Sequence, residues 1–283
     1  MNDFPYLNQI LKCDCVPAMR TLPGEFIPLT VTSPPYDNLR KFGGHTFDFE
    51  GIANELFRIT RPGGVVAWVV GDAFEDGSET GTSCRQKLYF QQLGFRLYDT
   101  IILARRNQRF PRKVRYGPTE VAFILSKGKP RTINLIRDKE NRFAGVVKKF
   151  TRRRWDGVTE PAGKGQPIRR WGIRSAIWEY TVGSQSAEEP YARKHPALMP
   201  EELAEDLIVS WSRPGDLVFD PMAGAATICK MALLRHRRYL GMEIHRPYWA
   251  IARRRLRENH ERYRSELDTY LSDWKEQNDD SHT

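Results

Sequence analysis

The hydrophobic positions of this chain alternate between short apolar runs and stretches of helical period. Through the first 126 residues, the runs of four to eight positions are typical of strands, and the period near 3.6 is typical of amphipathic helices. The predicted strands are 10–12, 29–32, 65–70, 96–104 and 120–125, and the predicted helices are 48–60 and 82–93. This β–α–β rhythm predicts a mostly parallel sheet.

The rhythm stops between about Lys127 and Tyr191, where Gly, Pro, Arg and Trp recur without a period. It then resumes with helices at 200–211, 226–235 and 247–274 and strands at 217–220 and 239–243. We therefore predict one α/β core with helices on both faces of a twisted sheet, formed by 1–126 and 192–283 and interrupted by an insertion at 127–191. The last helix has an apolar stripe, which predicts that this helix packs on the sheet. The alternative is that the stripe forms the interface of a dimer.

Positive charge is concentrated in one part of the chain. Residues 105–174 contain 21 Lys and Arg against 5 Asp and Glu, which is a net charge of +16. Because the whole chain has a net charge of +10, the rest of the chain has a net charge of −6. Aromatic residues are interleaved with the basic ones, and such segments neutralise phosphates and stack on bases. The pattern predicts a nucleic acid as partner, and a solvated basic face is the alternative.

The amino terminus and the cysteines bear on the class of protein. Met1–Pro5 contains an acid and precedes no apolar stretch, and the longest apolar run, Val65–Val70, is too short to span a bilayer. Four cysteines show no CxxC spacing for zinc and are too few for a disulfide scaffold. We expect a soluble cytoplasmic protein with reduced thiols and without a membrane partner.

A block of small residues follows the strand predicted at 217–220. It reads Asp220-Pro221-Met222-Ala223-Gly224-Ala225-Ala226-Thr227 and leads into a helix, whose N-terminal amides can approach a ligand closely. Glu243 ends the next strand, 23 residues after Asp220, where a carboxylate can accept hydrogen bonds from both ribose hydroxyls. The spacing predicts an adenosine-containing cofactor. The lack of GxGxxG and of a P-loop favours one without phosphate over NAD or ATP.

A second block, Ser33-Pro34-Pro35-Tyr36, follows the strand that ends at Thr32. The two prolines hold the backbone extended, so the carbonyls of Ser33 and Pro34 have no helical partners. Carbonyl acceptors beside the Tyr36 ring suit a planar group that bears an NH2, such as a nucleobase amine, although a surface polyproline turn would read the same. Because ligands collect at the carboxyl ends of parallel strands, we expect the two blocks to face each other across one crevice.

Taken together, these residues resemble the β class of S-adenosylmethionine-dependent DNA amino-methyltransferases. The segments similar to its catalytic, cofactor, acidic and His-Pro motifs are Thr32–Tyr36, Phe219–Ala225, Gly241–Ile244 and His195–Pro200. Their order, with an insertion after the catalytic motif, is that of the β class. The resemblance spans nearly the whole chain apart from the basic insertion. It implies a Rossmann-like class I methyltransferase fold, S-adenosyl-L-methionine as cofactor and duplex DNA as partner.

The chain departs from the family pattern within the cofactor motif. Met222 stands where an aromatic residue is usual, and Ala225 and Ala226 stand where Gly or Ser is commoner. A turn of small residues survives these changes. They put the affinity for the cofactor in doubt rather than the presence of its site.

The resemblance also implies the roles of individual residues. The implied catalytic residues are Ser33, Pro34, Pro35 and Tyr36, and the implied cofactor-binding residues are Asp220, Pro221, Ala223, Gly224, Ala226, Thr227, Glu243, Asp14, His195 and Pro196. The target base would leave the duplex and stack on Tyr36, while Ser33 Oγ and the Pro34 carbonyl accept hydrogen bonds from its amino group. No metal and no general base are required. For Asp14, a structural role capping a turn is an equal alternative.

Contacts with DNA are predicted mainly from the basic segment. The predicted nucleic-acid-binding residues are Arg40, Lys41, Arg105, Arg106, Arg109, Arg112, Lys113, Arg115, Lys148, Lys149, Arg152, Arg153 and Arg154. Ser33 at the first position of the catalytic motif resembles enzymes that methylate N4 of cytosine more than those that act on N6 of adenine. An RNA base methyltransferase and a non-catalytic nucleic-acid-binding protein are the alternatives, and a monomer and a homodimer both fit.

Overall fold

The order of strands and helices follows the predicted alternation closely. The computed structural model describes residues 5–35, 46–107, 119–147, 151–162 and 165–279, with side chains described up to residue 264 except at Ser184. The strands are β1 (Gln9–Lys12), β2 (Ile27–Thr32), β3 (Thr60–Gly71), β4 (Phe74–Glu75), β5 (Ser78–Glu79), β6 (Arg96–Arg105), β7 (Glu120–Ser126), β8 (Lys139–Glu140), β9 (Thr151–Arg153), β10 (Thr159–Pro161), β11 (Trp171–Gly172), β12 (Ile177–Tyr180), β13 (Leu217–Asp220) and β14 (Arg238–Glu243). The helices are α1 (Cys15–Arg20), α2 (Phe49–Ile59), α3 (Thr82–Gln92), α4 (Glu201–Trp211), α5 (Thr227–Leu234) and α6 (Arg246–Asp279).

Eight strands form the main sheet in the order β1-β14-β13-β2-β3-β7-β6-β12. Every neighbouring pair is parallel except the two that involve β7, which runs antiparallel to both β3 and β6. The carboxyl ends of the other seven strands therefore lie at one edge of the sheet, together with the amino end of β7. The predicted α/β fold with a mostly parallel sheet is confirmed.

Burial explains why the middle of this sheet is so apolar in sequence. All six residues of β2 and all four of β13 are buried, as expected for parallel strands covered on both faces. Helix α2 turns Ile52, Leu56 and Ile59 into the same core, where Trp68 of β3 is fully buried. This packing fixes the strand ends at which the candidate site lies.

The elements that the hydrophobic pattern did not predict include the short strands β4, β5 and β8–β11, and also helix α1 and strand β12. Helix α1 has only six residues, and Asp14 caps it by accepting a hydrogen bond from the Val16 amide at 3.0 Å. Strand β12 pairs in parallel with β6 at the sheet edge, although it lies within the segment predicted to be an insertion. Only Trp178 and Tyr180 of its four residues are buried, which is too short an alternation to recognise in advance.

The chain divides into two compact units. The first comprises 1–134 and 177–283 and contains the main sheet, and the second comprises 135–176. The predicted insertion at 127–191 is wider than the second unit, because its two ends belong with the sheet. Within the second unit, β9 and β10 form an antiparallel hairpin and β8 pairs antiparallel with β11.

The long helix α6 belongs to the first unit, where Ala252 and Leu256 are buried. This agrees with packing of its apolar stripe for the residues whose side chains are described. Across the ranges described above, no helix combines the length and apolar character needed to cross a bilayer.

Candidate active site

A cavity of about 700 Å³ opens at the carboxyl edge of the main sheet. It lies wholly within the first unit and is lined from both predicted blocks. The predicted site residues in its lining are Ser33, Pro34, Pro35, Asp14, His195, Pro221, Gly224, Glu243 and Arg105. The structure thus brings the Ser-Pro-Pro segment and the small-residue turn to one cavity, as the strand ends predict. Tyr36, Arg40 and Lys41 lie outside the described residues.

Some predicted cofactor residues lie behind this lining. Asp220, Ala223, Ala226 and Thr227 are buried and do not belong to the described wall, whereas Pro196 is exposed and also lies outside it. These four buried residues belong to the turn between β13 and α5 or to the first and last residues that flank it. Their direct contact with a cofactor stays a prediction.

Asp220 joins the two blocks directly. Its Oδ1 atom accepts a hydrogen bond of 2.8 Å from Thr32 Oγ1, at the end of β2, and another of 3.1 Å from the Met222 amide. Burial, with a smaller contribution from Glu243, raises the pKa of this carboxyl to about 7, while the two hydrogen bonds oppose the shift. Asp220 therefore fixes the start of the Ser-Pro-Pro segment relative to the small-residue turn.

Glu243 presents its carboxylate to the cavity in a fixed orientation. Its Oε2 accepts from the Gly224 amide at 2.8 Å and its Oε1 accepts from the His245 amide at 2.7 Å. Each of its two oxygens thus accepts a hydrogen bond from a backbone amide, which fixes the carboxylate at the cavity wall. This is the geometry expected of a ribose-binding carboxylate.

The turn between β13 and α5 adopts left-handed backbone at two positions. Gly224 has φ of 52° and Ala226 has φ of 59°. An alanine in this conformation costs about 1 to 2 kcal/mol, so the surrounding contacts must hold it there. The Ala226 amide donates to the Ala223 carbonyl at 2.7 Å, and the Ala223 amide donates to the Met242 carbonyl at 2.8 Å.

His195 closes one side of the same turn. A Cβ atom built on Gly224 would lie 2.8 Å from His195 Nε2, so only glycine lets the imidazole come this close. The ring is buried, packs edge to face against Tyr248 with centroids 4.4 Å apart, and accepts at Nδ1 from the Ala197 amide at 3.3 Å. His195 thus lines the cavity beside Gly224, and contact of the His-Pro segment with the cofactor stays a prediction.

A buried ionic network supports the turn from below. Arg255 of α6 is fully buried and donates from Nη1 to the Ala225 carbonyl at 3.1 Å and to Thr227 Oγ1 at 2.9 Å. Its guanidinium also pairs with Glu189, at 2.7 Å, and with Glu201. This arginine links the long final helix to the backbone of the small-residue turn.

Lys230 belongs to the same network. It is fully buried on α5, and its Nζ atom lies 2.8 Å from Glu189, 3.0 Å from Glu201 and 3.2 Å from Glu188. Burial opposes the ionisation of Glu189, but Arg255 and Lys230 outweigh it and lower its pKa to about 2. The carboxylate of Glu189 is therefore held ionised and paired beneath the turn.

The sequence did not single out several residues of the cavity wall. Asp72 comes directly after β3, and it accepts hydrogen bonds from the Ser83 amide at 2.9 Å and the Ser83 hydroxyl at 2.5 Å. Its position after a buried strand was the available signal. Cys15 also lines the cavity, where burial and Asp14 raise the pKa of its thiol to about 12, so it is protonated. All four cysteines are unbridged.

The described basic residues fall into different environments. Arg105 lines the cavity and pairs with Glu120 at 3.0 Å, whereas Arg106 pairs with Glu202 at 3.4 Å. In the hairpin of the second unit, Arg152, Arg153 and Arg154 are exposed, and Arg154 pairs with Asp156 at 3.5 Å. The other predicted DNA contacts, Arg109, Arg112, Lys113, Arg115, Lys148 and Lys149, lie outside the described residues. The described part of the chain contains no group of three or more metal-ligating side chains.

Comparisons with known proteins agree on one family. A family model described as DNA methylase matches residues 27–254. The orphan methyltransferase M.BamHII of Bacillus amyloliquefaciens is 49% identical over 235 residues, which is 82% of this chain and 89% of that protein.

Solved structures share the fold at low sequence identity. The cytosine-N4-specific PvuII DNA methyltransferase superposes with a TM-score of 0.64 at 18% identity, over 92% of each chain. The complex of M1.HpyAVI with SAM gives a TM-score of 0.55 at 19% identity, over 87% of this chain and 98% of that one.

Proposed function

The chain belongs to the DNA methylase family, and from this premise we propose that it methylates the exocyclic amino group of a base in specific duplex sites, N4 of cytosine in preference to N6 of adenine. The methyl donor is S-adenosyl-L-methionine, as in the solved M1.HpyAVI complex. The base would be extruded from the duplex to reach the cavity. The observation that carries the proposal is the meeting of Ser33–Pro35 with Gly224 and Glu243 in one cavity.

The residues on the cofactor side fit S-adenosyl-L-methionine. The cavity volume of about 700 Å³ falls in the range of small-molecule sites. Glu243 offers two oriented oxygens to ribose hydroxyls, and Gly224 leaves the turn open beside His195. The cofactor supplies an electrophilic methyl group. No phosphate-binding loop is needed, which agrees with the absence of GxGxxG from the sequence.

The target side would act by orientation rather than by proton abstraction. Pro34 is buried and Ser33 and Pro35 are half-buried, so this segment is held rigidly at the cavity wall. Ser33 Oγ and the Pro34 carbonyl would accept hydrogen bonds from the amino group and aim its lone pair at the methyl carbon. Tyr36 would stack on the base. Correct orientation of two reactants is itself a large rate factor.

The preference for cytosine rests on the first residue of the catalytic motif. Ser33 resembles the N4-cytosine enzymes, and PvuII methyltransferase, which shares the fold, carries that specificity. The DNA contacts would come from the exposed arginines of the β9–β10 hairpin. Restriction–modification is the biological setting in which such site-specific methylation is found.

Mass spectrometry of nucleosides tests this proposal. We expect N4-methylcytosine after incubation of unmethylated duplex DNA with the protein and S-adenosyl-L-methionine, and excess RNA should not compete. N6-methyladenine instead would overturn the base assignment, and methylation confined to RNA would overturn the substrate.

The Ser33→Ala variant tests the site. We expect turnover to fall by about a hundredfold with S-adenosylhomocysteine binding retained in calorimetry, because in this proposal the serine orients the base and does not bind the cofactor. Ser78→Ala, on the exposed β5, is the control and should behave as the parent protein. Equal turnover in both variants would contradict the assignment of Ser33.

A further inference from the structure

Arg105 occupies an unusual position among the basic residues of the first unit. It ends β6 and lines the cavity, and its Nη2 donates to Glu120 Oε1 at 3.0 Å. Its Nε atom is buried yet has no hydrogen-bond partner among the described residues. A buried donor without an acceptor is unfavourable, so this N–H has capacity for an acceptor that a ligand would bring.

The adjacent arginine, Arg106, shows that a position in the cavity wall is not shared by all basic residues of this segment. Arg106 is half exposed, pairs with Glu202 at 3.4 Å and does not belong to the described cavity wall. The two side chains follow the same strand but end in different environments. Arg105 faces the cavity with a fixed guanidinium, whereas Arg106 carries a solvated charge.

The order of the sheet places Arg105 across the cavity from the Ser-Pro-Pro segment. Strands β2 and β6 are separated by β3 and β7, which is three strand intervals, or about 14 Å. Two hydrogen bonds of about 3 Å each, one at either end, leave about 8 Å. A pyrimidine ring and part of an arginine side chain span this gap. A base whose amino group meets Ser33 would therefore direct the rest of its edge toward Arg105.

We propose that Arg105 binds the flipped base and selects cytosine, by donating hydrogen bonds to the ring acceptors on the edge beyond the amino group. Cytosine offers N3 and O2 there, whereas adenine offers N1 followed by a C–H. A guanidinium with a free N–H is matched by the two adjacent acceptors of cytosine. Glu120 holds the guanidinium in place. This inference rests on the proposed function. It assigns Arg105 a contact with the base in place of a contact with phosphate.

The Arg105→Gln variant tests the inference, with Arg96→Gln, at the exposed start of the same strand β6, as the matched control. We expect Arg105→Gln to lower kcat/KM on a cytosine-containing duplex by about 10- to 100-fold, the discrimination that one good base contact provides. Arg96→Gln should stay within threefold of the parent protein, because Arg96 does not belong to the described cavity wall. Calorimetry with S-adenosylhomocysteine should give the same Kd for all three proteins, which shows that the fold and the cofactor site are intact.

A second measurement separates a base contact from a phosphate contact. On a duplex with an abasic target position, we expect Arg105→Gln and the parent protein to bind equally and with the same dependence of log K on log salt. A shallower slope for Arg105→Gln on this duplex would assign Arg105 to phosphate and overturn the inference.

The Arg105→Lys variant provides a second test in case Arg105→Gln does not fold. It keeps the charge but lacks the planar fork of N–H groups that fits two adjacent acceptors and the Glu120 pair at once, so we expect about a tenfold loss of kcat/KM. Full activity of Arg105→Lys, or equal activity of the two glutamine variants, would overturn the inference. Absence of any DNA methylation by the parent protein would instead count against the proposed function.

Discussion

The buried ionic network beneath the small-residue turn and the β9–β10 hairpin both contain clustered basic side chains, but they differ in how far those side chains are paired and buried. Beneath the cofactor side of the cavity, Lys230 and Arg255 are fully buried and their cations are paired with carboxylates of the same chain. In the hairpin of the second unit, Arg152 and Arg153 are exposed. In the first region the cations are paired within the chain, whereas in the second the side chains of Arg152 and Arg153 are exposed to solvent. The sign of a charge therefore says less about its role than whether the fold has already neutralised it.

Removal of one cation from the buried network should have the largest effect. In Lys230→Met, Glu188, Glu189 and Glu201 lose a shared partner at 2.8 to 3.2 Å. Breaking a buried ion pair from one side typically costs about 3 to 5 kcal/mol, and we expect a loss of about 3 kcal/mol because Arg255 remains. Urea denaturation followed by circular dichroism measures this change in the free energy of unfolding.

The control for this variant lies at the rim of the same network. Arg262 pairs with Glu188 at 2.9 Å, but about half of its side chain is exposed. Arg262→Met should therefore lower the free energy of unfolding by less than about 1 kcal/mol. Equal destabilisation by the two variants would mean that burial of the network does not matter, and the contrast with the exposed hairpin would lose its basis.

A smaller effect is expected in the cofactor turn, where geometry rather than charge is at issue. In Gly224→Ala, the new methyl group would lie 2.8 Å from His195 Nε2, so the imidazole must move away from the cavity wall. We expect S-adenosylhomocysteine to bind about tenfold more weakly, which corresponds to about 1.4 kcal/mol. Isothermal titration calorimetry gives this affinity directly.

Gly215→Ala separates the contact from the backbone strain. Gly215 has φ of 85° and no atom near the position of an added Cβ, so the substitution carries the left-handed strain alone. We expect both alanine variants to lose about 1 kcal/mol of stability but only Gly224→Ala to lose cofactor affinity. A similar loss of affinity in Gly215→Ala would show that general destabilisation, not His195, limits binding.

The features that the sequence alone predicts are those that depend on local pattern, whereas the pairing of charges depends on long-range contacts. The alternation of apolar runs is enough to predict seven of the eight strands of the main sheet. The two blocks at the ends of β2 and β13 meet because parallel strands share an edge. Glu243 is where its spacing from Asp220 predicts. These features depend on local pattern and on the geometry of parallel sheets.

Other features depend on long-range contacts that no local pattern encodes. Adjacent arginines at 105 and 106 look equivalent in sequence, yet one lines the cavity and the other pairs with Glu202, 96 residues away. Strand β12 is recognisable only through its pairing with β6. The buried role of Lys230 likewise requires knowing that Glu189 and Glu201 lie beneath its helix.

The smallest effect is expected at the exposed side of the comparison. Arg152→Ala combined with Arg153→Ala removes two charges of the β9–β10 hairpin without disturbing a buried contact. If both contact phosphates, the slope of log K against log salt should fall in magnitude by about 1.8, since each phosphate contributes about 0.9. Fluorescence anisotropy with a labelled duplex at several salt concentrations measures this slope.

The control for this double variant is Arg253→Ala combined with Arg257→Ala, which makes the same charge change at exposed positions of α6. It should leave the slope nearly unchanged. Equal slopes for the two double variants would show that the hairpin acts only through net charge, and DNA contact would have to be sought elsewhere in the basic segment.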